Sequence, residues 1–120
     1  MTSEPSIFER IVAREIPADI VYEDDTVIAF RDIAPQAPVH LLVVPKTAVH
    51  RDVTELAAGD PALLAHVVAV ANELAVAHTD GDFRLVFNTG ARAGQTVFHV
   101  HAHLLGTAEG SIDEGSLVGA

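Results

Sequence analysis

One stretch near the C-terminus restricts the chain more than any other: Val97-Phe98-His99-Val100-His101-Ala102-His103-Leu104-Leu105. Histidine and apolar residues alternate in it. A period of two is that of a β-strand, whose side chains point to opposite faces in turn. A strand over 97–105 puts His99, His101 and His103 on one face and Phe98, Val100, Ala102 and Leu104 on the other, against a core. Packing alone does not account for three imidazoles in a row, because clustered titratable groups concentrate at functional sites.

The remainder supplies a sheet for that strand. Ser6 with Glu9 reads as a capping box opening a first helix, and Ile7, Phe8, Ile11 and Val12 recur at helical spacing until Pro17. Ile20–Tyr22 and Val27–Phe30 read as strands around the acidic turn Glu23-Asp24-Asp25. Pro35 and Pro38 mark a loop, His40–Val44 is an apolar strand, and Pro45 closes it. Asp60-Pro61 is a helix start, followed by the stripe Leu63, Leu64, Val67, Val68, Ala71, Leu74 and Ala75 and a stop at Asp80-Gly81. Phe83–Phe87 reads as a strand, and 88–94 as a glycine-containing loop. The expectation is one α+β domain over 1–120, with about five mainly antiparallel strands, two helices, a core over 6–106 and a small acidic tail over 107–120.

Charge narrows the partners. Seven Lys and Arg against seventeen Asp and Glu give a formal net charge of −10. A nucleic acid polymer needs a basic surface to displace its counterions, and an anionic membrane surface asks for the same. A small anion can still be held by backbone N–H groups and a few histidines. No apolar run is read as reaching the roughly 18 residues of a membrane span. The first residues lack the basic start of a signal peptide, and no cysteine is present. Cytoplasmic residence is the resulting expectation.

Two chemistries suit the histidine row. Neutral imidazoles bind metals, and they also serve as nucleophiles and acid–base groups. Zinc needs ligands converging on one point, whereas the outer two histidines stand ~13 Å apart along a strand rising about 3.3 Å per residue. Catalysis has no such constraint, so no metal and no cofactor are expected. The triplet Gly94-Gln95-Thr96 just upstream offers flexible backbone, an amide and a hydroxyl, which beside the histidines reads as half of a phosphate cradle.

The run His99-Val100-His101-Ala102-His103-Leu104-Leu105 resembles the signature of the histidine-triad superfamily. Ser6–Ile11, Glu15–Ala18, Tyr22–Asp25, Ala29–His40, Val43–Lys46, Asn88–Gly90 and Gly94–Thr96 resemble its nucleotide-binding branch, over roughly residues 6 to 106. The resemblance implies a hydrolase of purine nucleoside phosphoramidates with an AMP-like ligand. His101 would attack the α-phosphorus and form a nucleotidyl-histidine that water hydrolyses. His103 would contact phosphate, His99 would set the His101 tautomer, and His40 would complete the set. Asn88, Gly94, Gln95 and Thr96 would hold phosphate and leaving group, and Asp32 the ribose. Ile7, Phe8, Ile11, Phe30, Ile33 and Leu42 would sandwich the base. A homodimer is implied as well.

Other readings stand beside these. The resemblance also admits a dinucleoside polyphosphate hydrolase or a non-catalytic nucleotide sensor, while a histidine-rich metal enzyme would want a carboxylate for which Glu109 is the near candidate. Asp32 could form an Asx-turn, the residues assigned to the base would look the same as core, and His66 reads as a solvated side chain off the apolar stripe. Thr96 stands where many relatives carry serine, the tail lacks the aromatic residue that relatives often send toward a partner's site, and no cysteine is available for the zinc site of some bacterial relatives.

Overall fold

The computed structural model describes residues 4–112. Its strands β1 (Ile20–Glu23), β2 (Val27–Arg31), β3 (Val39–Pro45), β4 (Arg84–Val86) and β5 (Ala102–Gly106) form one sheet in the order β1-β2-β3-β5-β4. Every neighbouring pair is antiparallel. The helices are α1 (Ile7–Val12), α2 (Val53–Gly59) and α3 (Pro61–Thr79), with a 3₁₀ turn at Ala91–Ala93.

Local chemistry accounts for the ends of the helices. Ser6 and Glu9 form both halves of the capping box on α1. The Asp60 side chain accepts the Leu63 N–H at 3.1 Å, and Pro61 takes the first position of α3, where its missing N–H costs nothing. Asp80 ends α3 in the left-handed region at φ 54°. The third helix, α2, was not among the two expected. Asp52 caps it by accepting the Glu55 N–H, but it is only seven residues long and buries Leu56 alone, too short for a periodic apolar pattern.

The sheet has two differently built faces. Val27, Ala29, Leu41, Val43, Val100, Ala102 and Leu104 meet Leu63, Val67, Val70, Ala71, Leu74 and Ala75 of α3 in the main core. This inward stripe makes α3 a core helix, although by length and composition alone it would be apolar enough to cross a membrane, contrary to the expectation that no segment is. On the opposite face Ile28, Phe30, Leu42 and Val44 pack with Phe8 and Ile11 of α1 in a smaller cluster. The histidines lie on this second face.

The final strand is shorter than expected, beginning at Ala102 instead of Val97. Its register against β3 ends at Val43 opposite Ala102. Two residues further, Pro45 has no N–H with which to continue the ladder. The Val100 N–H goes instead to the His50 carbonyl at 3.0 Å. Phe98, expected in the core, is half exposed. Val100 keeps the alternation and is buried.

His66 also departs from expectation. Its Nε2 lies 2.6 Å from Asp24 Oδ2, tying α3 to the β1–β2 turn. Burial alone would raise the Asp24 pKa. The Tyr22 hydroxyl, the N–H groups of Thr26 and Val27, and His66 outweigh it and hold the carboxyl below the usual range. Tyr22, donating to that carboxylate at 2.6 Å, is pushed up to about 12.

Candidate active site

The four histidines singled out in the sequence converge and are buried, at 3% exposure for His40, 0% for His99, 4% for His101 and 0% for His103. His99 and His101 precede the ladder yet share its second face. The Phe8 ring meets both edge-on, with centroids 5.6 and 4.9 Å away, and the His101 and His103 rings are 5.1 Å apart.

The hydrogen bonds dictate where the protons sit. His101 Nδ1 lies 2.8 Å from the His99 carbonyl. A carbonyl has no proton, so Nδ1 carries one, and in the neutral ring Nε2 bears the lone pair. The second chain starts at the Gln36 N–H, which donates to His40 Nδ1 at 3.1 Å. The His40 proton is therefore on Nε2, which lies 3.0 Å from His103 Nδ1 and 3.4 Å from Asp32 Oδ2. His103 Nδ1 accepts, leaving the His103 proton on Nε2. That atom is buried without a hydrogen-bond partner among the described residues. Adjacent rings thus present opposite functions: a lone pair on His101 and an N–H on His103.

Burial keeps the supporting imidazoles neutral. It lowers the His40 pKa against the pull of Asp32, and lowers His99 against its bond to the Pro45 carbonyl and the charge of Glu9. For His103, burial and then the neighbouring His101 and His40 bring the pKa to about 4, with Asp32 opposing.

Asp32, His40 and His103 have donor atoms within 4.8 Å of one another, close enough to consider a cation. A cation would need His40 Nε2 stripped of its proton. The Gln36 N–H occupies Nδ1, so the proton has no other place on the ring. Metal at these atoms would cost the Gln36 bond, and the hydrogen-bonded chain fits the donor set better.

The residues assigned to the base also come together. Ile7, Phe8, Ile11, Phe30, Ile33 and Leu42, with Asp32, line one cavity of about 140 Å³. Ile33 is 97% exposed at its edge, an apolar side chain with no protein cover. Asp32 does form the Asx-turn, its Oδ1 accepting the Ala34 N–H at 2.8 Å, while Oδ2 faces His40.

The loop before β5 is more self-contained than the sequence suggested. Gln95 is buried, its Oε1 accepts the Gly90 N–H at 2.8 Å, and its Nε2 donates to the carbonyls of Arg51 at 2.7 Å and Val97 at 3.1 Å. Its side chain shapes the cradle and has no group to spare for phosphate. Gly94 closes the 3₁₀ turn at φ 100°, a conformation that favours glycine. Thr96 is exposed on a second, larger groove of about 830 Å³, which also touches His99, Ser6 and Ile7. Asn88 follows β4, two residues beyond Val86, the residue that lies opposite His103.

Four contributions to the site are not visible in residue type. The Gln36 N–H and the carbonyls of Pro45 and His99 act through backbone, which residue type does not reveal. Ser6 is readable from sequence as a helix cap and as part of the resembling segment Ser6–Ile11, but not as a partner of His99, whose Nδ1 lies 2.7 Å from its Oγ.

Comparison with known proteins agrees with this arrangement. Residues 13–110 match the HIT domain family model. An uncharacterized HIT-like protein of Synechococcus elongatus is 53% identical, over 87% of this chain and 91% of its own length. The purine nucleoside phosphoramidase of Escherichia coli is 43% identical, over 87% of this chain and 88% of its own. A HIT family hydrolase from Clostridium thermocellum superposes with a TM-score of 0.82 at 40% identity, over 98% and 99% of the two chains. The antiparallel sheet, the buried histidine row and these likenesses together place the chain in the HIT domain family.

Proposed function

We propose that this chain is a hydrolase of purine nucleoside 5′-phosphoramidates, acting through a covalent intermediate on His101. The observation that carries the reading is the opposed pair of tautomers. The His101 Nε2 lone pair attacks the α-phosphorus, a P–N(His) bond forms, and the P–N bond to the leaving amine breaks. The amine nitrogen leaves with the bonding pair and takes a proton from solvent on the exposed Thr96 side. His103 Nε2–H donates to a phosphoryl oxygen, stabilising charge that grows in the transition state. Water then attacks phosphorus, the P–N(His) bond breaks with its electron pair returning to His101 Nε2, the proton lost by the water goes back to solvent, and AMP leaves.

The base lies in the apolar cavity between α1 and the sheet, and the ribose lies near Asp32. Asn88 and the Gly94–Thr96 backbone border the phosphate, with Gln95 holding that loop in shape. We further propose a cytoplasmic homodimer. Among the described residues β4 is a three-residue strand at the edge of the sheet, and Val68 and Val76 expose apolar surface on α3.

The test uses adenosine 5′-phosphoramidate. The parent hydrolyses it, whereas His101→Ala and His101→Asn lose at least about a thousandfold in kcat while still binding AMP. Equal turnover in parent and variants rejects the nucleophile. Activity is expected to survive a strong chelator.

A further inference from the structure

Capping α1 does not use up the Ser6 hydroxyl. Ser6 Oγ accepts the Glu9 N–H at 3.1 Å, and its other contact is His99 Nδ1 at 2.7 Å. His99 Nε2 lies 2.7 Å from the Pro45 carbonyl and must donate to it. His99 Nδ1 is therefore bare, and the proton in the short contact belongs to the hydroxyl. His99 is fully buried, so water does not replace that bond. The His99 carbonyl, in turn, receives the His101 Nδ1–H at 2.8 Å. The chain of bonds runs from the start of α1, through His99, to the ring carrying the lone pair.

We infer that Ser6 is a positioning residue. Through His99 it holds the orientation and tautomer of the His101 imidazole, and it couples α1 to the nucleophile. The inference rests on the reading of His101 given above. Phe8 strengthens the coupling, since its ring lines the base cavity and also packs edge-on against both His99 and His101. A base seated against α1 presses on the same ring that braces the nucleophile.

Substitutions at Ser6 separate positioning from capping. Aspartate caps a helix as well as serine but, when ionised, has no proton to donate, whereas threonine keeps both functions. Glycine retains most of the capping preference and removes the side chain. Ser6→Asp and Ser6→Gly are expected to lower kcat about tenfold, the loss of one well-placed hydrogen bond, with KM and AMP affinity within about twofold of the parent. Ser6→Thr is expected to restore turnover. Ring ¹⁵N NMR is expected to find His99 with a bare Nδ1 in the parent and a protonated Nδ1 in Ser6→Asp. Parent-like kcat in Ser6→Asp, or matched losses of kcat and AMP affinity with a lowered Tm, overturns the inference. A parent that binds AMP but hydrolyses no phosphoramidate overturns the proposed function instead. The inference then stands or falls on the NMR, and unchanged His99 and His101 ring shifts in Ser6→Asp refute it.

Discussion

Acidification from pH 8 to pH 5 is expected to destabilise the fold through His103. Its pKa falls from the ordinary 6.5 when unfolded to about 4 when folded, chiefly by burial. Between those values the unfolded chain binds the proton and the folded one does not. Stability is therefore full above pH 6.5 and declines as the pH drops toward 4. Each pH unit in that window costs about 1.4 kcal/mol, so pH 5 costs ~2 kcal/mol from this residue alone. His40 and His99 are shifted in the same direction and add to the loss. The lowered carboxyls Glu23 and Asp52 contribute mainly below the window, since their stabilisation is lost only as pH falls toward their folded values. Urea unfolding followed by far-UV circular dichroism at the two pH values measures the difference. His103→Gln is expected to reduce it by ~2 kcal/mol. Equal stability at pH 8 and pH 5, or an undiminished difference in His103→Gln, would refute a buried neutral His103.

Three further substitutions test the scaffold by the same denaturation assay. Gln95→Ala removes three hydrogen bonds from a buried side chain and is expected to cost about 2–4 kcal/mol, with weaker AMP binding as the loop relaxes. Gly106→Ala would bring a Cβ within 2.6 Å of Thr79 Cγ2 and 3.1 Å of the Asp82 carbonyl, and is expected to cost about 1–3 kcal/mol, partly recovered by Thr79→Ser. Asp24→Asn loses the charge that binds Tyr22 and His66, and is expected to return the Tyr22 ionisation from about 12 toward 10, read by absorbance titration.

Much of this architecture was legible because its signals are local. The Ser6–Glu9 box, Asp60-Pro61 and Asp80 mark helix ends through side chains adjacent in the chain, and the structure starts α1, starts α3 and ends α3 at them, although α1 stops at Val12 and does not reach Pro17. The histidine alternation located the site, since period two survives even where the ladder does not. What escaped depends on distant backbone. Strand β5 starts late because Pro45, far away in sequence, cannot donate, and no pattern within 97–105 reports that. The tautomers are set by the Gln36 N–H and the His99 carbonyl, groups that every residue possesses. The pattern of α3 alone makes His66 a solvated side chain, whereas its partner Asp24 sits in a turn 42 residues earlier. The aromatic-free tail was legible as composition, and its positions 113–120 lie outside the described residues.

Catalysis by His101 requires its Nε2 to form the bond to phosphorus. Mixing the protein with adenosine 5′-phosphoramidate, quenching at high pH within the first turnover and mapping peptides by mass spectrometry locates the nucleotidyl group. An adduct on His101 that disappears on later quenching is the predicted result. A time course with no adduct, or with the group on His103 or another residue, would contradict it.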